Sequence, residues 1–255
     1  MRWLNCGPTR LTDYQRMILF LLPRLINYST GSMEEHIVKI LSIEEVTHDV
    51  KSFKVEKPVG YSFIPGQATE VSINVPGLKN EKRPFTFTSL NSSDYLEFTI
   101  KIYSERNGIT NELGKLKPGS ELIIRDVWGD ISYKGEGVFI AGGAGITPFI
   151  SIFRELHYRK KIGSNLLVFA NKTKDDIILE SELKWLLSDL FINILSDEKS
   201  EGYAHGFITE EFLKTNIPAL YNNYYLCGPP PMIDAVLRFL YNIGVSENII
   251  TMEKM

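Results

Sequence analysis

The stretch "GVFIAGGAGITPFISIF", residues 137–153, decides how this 255-residue chain is read. A strand-like apolar run, Val138 to Ala141, empties into glycines and then into a helix-like run carrying Ile146, Phe149, Ile150 and Phe153. Strand, glycine loop and helix in that order begin a phosphate-binding turn, because the first N–H groups of a helix lack partners and attract an anion. Neither common fingerprint fits. A G-x-G-x-x-G starting at Gly143 needs glycine at 148, where Pro148 stands, and a Walker loop needs a lysine that does not follow. Gly142, Gly143 and Gly145 let backbone approach an anion closely. Thr147 is placed to cap the helix, and Pro148 suits its first turn, where a missing N–H costs nothing. A tight turn that keeps glycines for geometry alone explains the same letters, so the loop needs corroboration elsewhere in the chain.

Downstream of Gly135, strands and helices alternate. Strands are expected at 138–141, 165–170, 191–196 and 224–228, and helices at about 148–160, 179–190, 209–214 and 231–244. This alternation builds a parallel sheet covered by helices on both faces. Upstream, from Met33 to Lys134, the rhythm has period two. "HIVKILSI", "VKSFKVE", "ATEVSINV", "PFTFTSL", "YLEFTIKIY" and "SELIIRDV" are separated by Pro and Gly signals. Six such strands predict a small antiparallel β-barrel, interrupted by one short helix, "TNELGKL", at 110–116. The expected organisation is therefore two-domain, with a barrel over 33–134 and an α/β nucleotide-binding domain over 135–255.

Bulk properties exclude several classes. A hydrophobic content of 44% and a net charge of −3 describe an ordinary globular protein and argue against a nucleic-acid binder. Two cysteines, Cys6 and Cys227, leave no disulfide framework, iron–sulfur cluster or four-cysteine zinc site within the chain. The four histidines show no metal-ligand spacing, and no metal is expected. "MILFLL", 17–22, is too short to span a bilayer and is closed by Pro23. Residues 1–32 end in "STGSM", which resembles a cloning junction, and are expected to be a leader without functional weight. A cytoplasmic monomer is the default expectation.

Three further stretches carry chemistry-bearing residues. In "RPFTFTS", 83–89, Arg83 can fork onto a phosphate, Phe85 offers an apolar face, and Thr86 and Thr88 offer hydrogen bonds. In "NGITNELGKLKPG", 107–119, Thr110 opens a helix behind the Asn107-Gly108 turn. In "YYLCGPPPMIDAV", 224–236, a strand ends in Cys227, a Gly-Pro turn and a helix start. Carboxyl ends of strands in an open α/β sheet are where ligands bind. Each stretch alone reads equally well as an ordinary turn or edge.

Their order and spacing say more. An arginine–aromatic–threonine strand, a G-x-T helix, a strand–GGAGITP loop and a strand–CGPPPM turn, in that sequence, resemble the ferredoxin–NADP⁺ reductase superfamily over residues 36–255. "FIPGQ", "NKTKDD" and "HGFITEEFL" agree. The resemblance implies that Arg83 pairs with a flavin phosphate, that Pro84 and Phe85 lie along the ring system, and that Thr86 hydrogen-bonds near N5. It further implies that Gly108, Ile109 and Thr110 cradle the flavin phosphates through their backbone. Gly142, Gly143, Gly145, Thr147 and Pro148 would receive the nicotinamide pyrophosphate. Cys227 would sit near the nicotinamide C4, shaped by Gly228 and Pro229, as a positioning contact and not a nucleophile. Glu253 would match an acidic residue near the ring, and Met255 would take the place of a covering aromatic.

The implied reaction is hydride transfer from NADPH or NADH to FAD, which family frequency favours over FMN, with Thr86, Cys227 and Glu253 at the reacting atoms. Lys172 leans the nucleotide choice toward NADPH, while Asp175 and Asp176 would oppose it if they pointed inward. No iron–sulfur domain is appended, so the implied acceptor is a separate carrier such as flavodoxin or ferredoxin. The alternatives are the reductase component of an oxygenase system, or a non-catalytic flavin-binding subunit of an electron-transfer complex.

Overall fold

The computed structural model describes residues 34–217 and 221–253; the expected leader and Met255 lie outside the described residues. In the first half, alternation produces six strands. They are β1 (His36–Thr47), β2 (Val50–Glu56), β3 (Ala68–Ile73), β4 (Arg83–Thr86), β5 (Tyr95–Lys101) and β6 (Glu121–Trp128). All pair antiparallel in the order β4-β3-β6-β1-β2-β5. The two edges meet just beyond β4: Phe87 bridges Phe98, and the Thr88 N–H donates to the Glu97 carbonyl at 2.8 Å. The sheet thus closes into the expected barrel, which removes its edges. In β2, Phe53 and Val55 enter the core while Lys54 and Glu56 face outward, the period-two pattern made physical. Phe87 stacks on Phe63 with ring centres 4.3 Å apart at the middle of that core. Helix α1 (Ile109–Gly114) covers the barrel by inserting Ile109 and Leu113, one turn apart, into it. Arg125 departs from simple alternation. It is only 1% exposed, and its guanidinium donates to Glu35, Ser72 Oγ and the Lys79 carbonyl.

The second half is a parallel sheet. Its elements in chain order are β7 (Val138–Gly142), α2 (Thr147–Tyr158), β8 (Leu166–Asn171), α3 (Glu180–Leu187), β9 (Phe191–Leu195) and β10 (Ala204–His205). Then follow α4 (Glu210–Asn216), β11 (Tyr224–Cys227), α5 (Pro230–Asn242) and β12 (Ile250–Met252). The strand order is β10-β9-β8-β7-β11-β12, every pair parallel. Both faces are covered, which is why its strands read as unbroken apolar runs. In β7, Phe139 and Ala141 pack toward α2 and α3, while Val138 and Ile140 pack toward α5. The order reverses between β7 and β11, and a crevice at such a reversal, outside the carboxyl ends, is the usual ligand site of an open α/β sheet. Two strands escaped the sequence reading. β10 and β12 have two and three residues, too few to display a period. Among the described residues no helix is long and apolar enough to cross a membrane.

Candidate functional site

At the reversal between β7 and β11, both halves contribute walls to one cleft of about 240 Å³. The barrel supplies Pro84, Phe85, Thr86, Lys101, Tyr103 and Thr110; the α/β half supplies Ala144, Thr147, Cys227 and Glu253. A wider hollow of about 590 Å³ lies on the outside of the barrel around Ile37, Leu41 and Val59 and contains none of the residues singled out above. The singled-out residues that line a hollow therefore lie in the smaller cleft, where side chains from distant parts of the chain converge.

The barrel wall follows from β4. Phe85 and Thr86 are half-buried, and β3 holds them through the pairs Thr69–Phe85 and Ala68–Thr86. Arg83 begins the strand outside the cleft lining. It is solvent-exposed, with Nη1 donating to the Lys82 carbonyl at 2.6 Å. Thr110, in the first turn of α1, lines the cleft, and Gly108 precedes the helix in extended conformation. The Ile109 side chain is committed to the barrel core, so only its backbone is available to a ligand. Lys101 and Tyr103 were not singled out from the sequence. They share the parity of Thr99 along the β5 direction, and three such residues facing one side were the available signal.

The glycine loop behaves differently from the expectation. Gly142 ends β7, a 3-10 turn spans Gly143–Ile146, and α2 continues directly from it at Thr147. Thr147 is consequently not a helix cap. Its Oγ1 donates to the Ala144 carbonyl at 3.1 Å, and the residue faces the cleft from the first helical position. Pro148 does occupy the first turn, buried. A Cβ added at Gly145 would lie 2.3 Å from the Cys227 carbonyl oxygen, and one at Gly142 would lie 2.5 Å from Met232 Sδ. These two glycines seat the loop on the β11 turn. Gly143, at φ +52° with nothing within 4 Å of its added Cβ, is the one that faces open space.

Cys227 ends β11 opposite Ala141 of β7, half-buried at the cleft wall. Burial, followed by the nearby Glu253 charge, pushes its thiol up to about 12. It is therefore neutral at physiological pH, and the thiolate is the reactive form of a cysteine. Glu253 follows β12, whose pairing with β11 carries it to the cleft mouth. Although the residue as a whole is exposed, desolvation of the carboxyl and then the Asp130 charge raise its pKa above the ordinary value.

The remaining predicted residues lie outside the lining. Gly228 and Pro229 form the turn from β11 into α5, and Pro229 O accepts from the Met232 and Ile233 N–H groups. Lys172 is exposed just past β8, and Asp175 is exposed beside it. Asp176 is engaged locally: the Thr173 N–H and Oγ1 donate to its Oδ2 at 2.9 and 2.7 Å. Folding also gathers His48, Asp49 and Asp176 closely enough to hold a metal ion, which the sequence spacing did not show. Lys101 Nζ already brings positive charge there, 2.7 Å from Asp49 and 4.0 Å from Asp176.

The donor set suits a flavin. Phe85, Ile100 and Tyr103 give apolar and aromatic surface for a flat ring system, and the hydroxyls of Thr86, Thr110 and Thr147 give hydrogen bonds to a polar edge. The protein-family model for the oxidoreductase FAD-binding domain matches residues 37–133, and that for the oxidoreductase NAD-binding domain matches residues 139–238. NADH-cytochrome b5 reductase 1 of Eremothecium gossypii is 31% identical over 228 residues, covering 82% of this chain and 79% of that protein. The propane 2-monooxygenase reductase component of Mycolicibacterium goodii is 29% identical over 219 residues, 79% of this chain, which spans only 62% of that protein's length. Among solved structures, a ferredoxin NADP⁺ reductase from Neisseria gonorrhoeae with bound FAD and NADP superposes with a TM-score of 0.73 at 21% identity. That match covers 86% of this chain and 98% of that one.

Proposed function

We propose, since this chain belongs to the ferredoxin–NADP⁺ reductase superfamily and joins its FAD-binding to its NAD-binding domain, that it passes electrons from NAD(P)H to a separate carrier protein. The flavin-binding domain is taken as residues 33–134 and the nucleotide-binding domain as 135–255. The single observation that carries the reading is the shared cleft, where Phe85 and Thr86 of one half face Thr147, Cys227 and Glu253 of the other. FAD, when bound, accepts a two-electron hydride equivalent from the nicotinamide and can release the electrons singly; the protein supplies position and electrostatics.

In this reading Phe85 gives the ring system an apolar floor. Thr86 holds its polar edge, and Arg83 at the rim meets the phosphate. Cys227, neutral and at the end of β11, fixes where the nicotinamide rests and excludes water beside it. Cys227→Ala should slow flavin reduction about 10-fold, the scale of a lost positioning contact, while flavin stays bound. Because the thiol ionises only near 12, the wild-type rate should show no step from this group between about pH 6 and 9. A step that disappears in the alanine variant would contradict the assignment. Lys172, exposed just past β8, is read as favouring NADPH; Asp176 is engaged by Thr173, and the exposed Asp175 is the charge that opposes that choice.

The carrier is read as a small one-electron protein. Flavodoxin and ferredoxin are the first candidates, and the names of the relatives add a cytochrome b5 and the other components of an oxygenase system. Lys79, exposed near the flavin strand, with Lys82 paired to Glu70 at 3.6 Å and Arg83 assigned to the phosphate, is read as the positive charge that meets an acidic carrier. Parallel assays with ferredoxin, flavodoxin, cytochrome b5 and a quinone should pick out one protein acceptor whose reduction slows steeply with added salt. Equal, salt-insensitive turnover with every acceptor would defeat the carrier reading.

A further inference from the structure

Helix α2 carries the nucleotide loop at one end and a polar stripe along one face. Thr147, Ser151 and Arg154 stand at i, i+4 and i+7, which places them on the same side of a helix. Thr147 lines the cleft. Ser151, fully buried, receives the Gly66 N–H from the barrel at 3.0 Å and donates to the Pro148 carbonyl at 3.2 Å. Arg154 reaches farther. Its Nη1 donates to the Thr88 carbonyl at 2.8 Å and to Glu97 Oε1 at 2.5 Å, both in the barrel. Its Nε and Nη2 grip both oxygens of Glu182 on α3 at 2.6 and 2.8 Å.

The barrel side of this contact leads straight back to the cleft. Thr88 lies two residues beyond Thr86 in the same chain segment. Thr88 Oγ1 donates to Glu97 Oε1 at 2.8 Å and lies 3.2 Å from Thr99 Oγ1, and Thr99 lines the cleft. One guanidinium therefore ties the helix that presents Thr147 to the segment that presents Thr86. Glu97 is only 7% exposed and Arg154 21%, so water screens the pair little. A planar fork with five donors serves four oxygens here; a lysine would serve fewer.

We propose that Arg154 is a positioning residue that sets the width of the cofactor cleft by clamping α2 to the flavin-binding barrel. The inference rests on the reading of the cleft given under Proposed function. Arg154 touches neither reacting group. It acts through Thr147 on one wall and through Thr86 and Thr99 on the other, and a displacement of about 1 Å at such a site costs up to about 100-fold in rate.

The test compares FAD-loaded wild type with Arg154→Lys, Arg154→Met and the double variant Glu97→Gln/Arg154→Met. The double variant removes both buried charges together and covers the case in which Arg154→Met alone fails to fold. The expected result is a normal flavin spectrum and a flavin-reduction rate at saturating NADPH about 10- to 100-fold lower, least so for lysine. The nucleotide concentration for half-maximal rate should stay within about threefold. Independently of activity, hydrogen exchange at the Gly66 amide should quicken about 10-fold or more, with the barrel core unchanged.

Rates within about twofold of wild type, loss of nucleotide affinity alone, or faster exchange spread evenly over the chain would each overturn the clamp. If wild type itself is not bleached by either nucleotide, the functional reading fails and this inference falls with it. Bleaching in wild type with unaffected variants sinks the clamp only.

Discussion

Replacing Gly145 by alanine should lower nucleotide-driven flavin reduction by about 100-fold while FAD remains bound. The reason is local. The added Cβ would lie 2.3 Å from the Cys227 carbonyl oxygen and 2.7 Å from Gly228 Cα, both main-chain atoms that no rotamer change can move aside. Either the loop lifts away or the β11 turn retreats. Both outcomes displace groups on the α/β wall, Thr147 in the first case and Cys227 in the second. The barrel, where the flavin is proposed to sit, is not touched. Single-turnover reduction and flavin content, measured on one preparation, separate the two effects. Gly143→Ala separates packing from pyrophosphate contact, because it should raise the nucleotide concentration needed while leaving the rate at saturating nucleotide near wild type. Its Cβ meets nothing within 4 Å but must adopt φ +52°, which costs only about 1 kcal/mol. Equal losses in the two variants would show that the loop's glycines serve something other than packing against Cys227.

Arg83→Ala should weaken FAD retention by about 100-fold or more, as expected when one charge-assisted phosphate contact worth about 3 kcal/mol is lost. Thermal stability of the flavin-free protein should barely change, because the side chain is exposed and its hydrogen bond within the protein is to the adjacent Lys82 carbonyl. Arg83→Lys should fall between, since an ammonium keeps the charge and loses the fork. Dialysis followed by measurement of the flavin absorbance gives the affinity directly. An alanine variant that keeps its flavin as tightly as wild type would remove Arg83 from the site. One that unfolds would show a structural role that its exposure does not suggest.

The difference between these two predictions marks how far the sequence could be read. Arg83, Thr86 and Cys227 stand in motifs whose letters are local, and local pattern placed them on the right strands. The barrel strands were legible where apolar residues alternate with polar ones in sequence, as Phe53 and Val55 do with Lys54 and Glu56, and Leu96, Phe98 and Ile100 do with Glu97 and Thr99. β7 was legible because it is apolar on both faces. What remained hidden depends on distant neighbours. That Gly145 is required by the Cys227 carbonyl, 82 positions away in the chain, leaves no local trace. Lys101 and Tyr103 looked like ordinary strand residues. Glu253 reaches the cleft through β12, whose three residues cannot show a period. Thr147 reads as a cap in sequence because threonine before proline commonly is one, but the 3-10 turn ahead of it already satisfies that end of the helix. Arg154 was indistinguishable from the other charged residues of "FRELHYRKK" until the fold set Glu97 and Glu182 on either side of it.

The central claim is that a nicotinamide held by the α/β half meets a flavin held by the barrel across the cleft between Thr86 and Cys227. Anaerobic rapid mixing of the FAD-loaded protein with NADPH, and separately with NADH, tests it most directly. The expected result is complete bleaching of the yellow flavin band in a single fast phase with at least one nucleotide, slowed by Cys227→Ala and by Gly145→Ala. A protein that binds FAD yet keeps its colour with both nucleotides would contradict it.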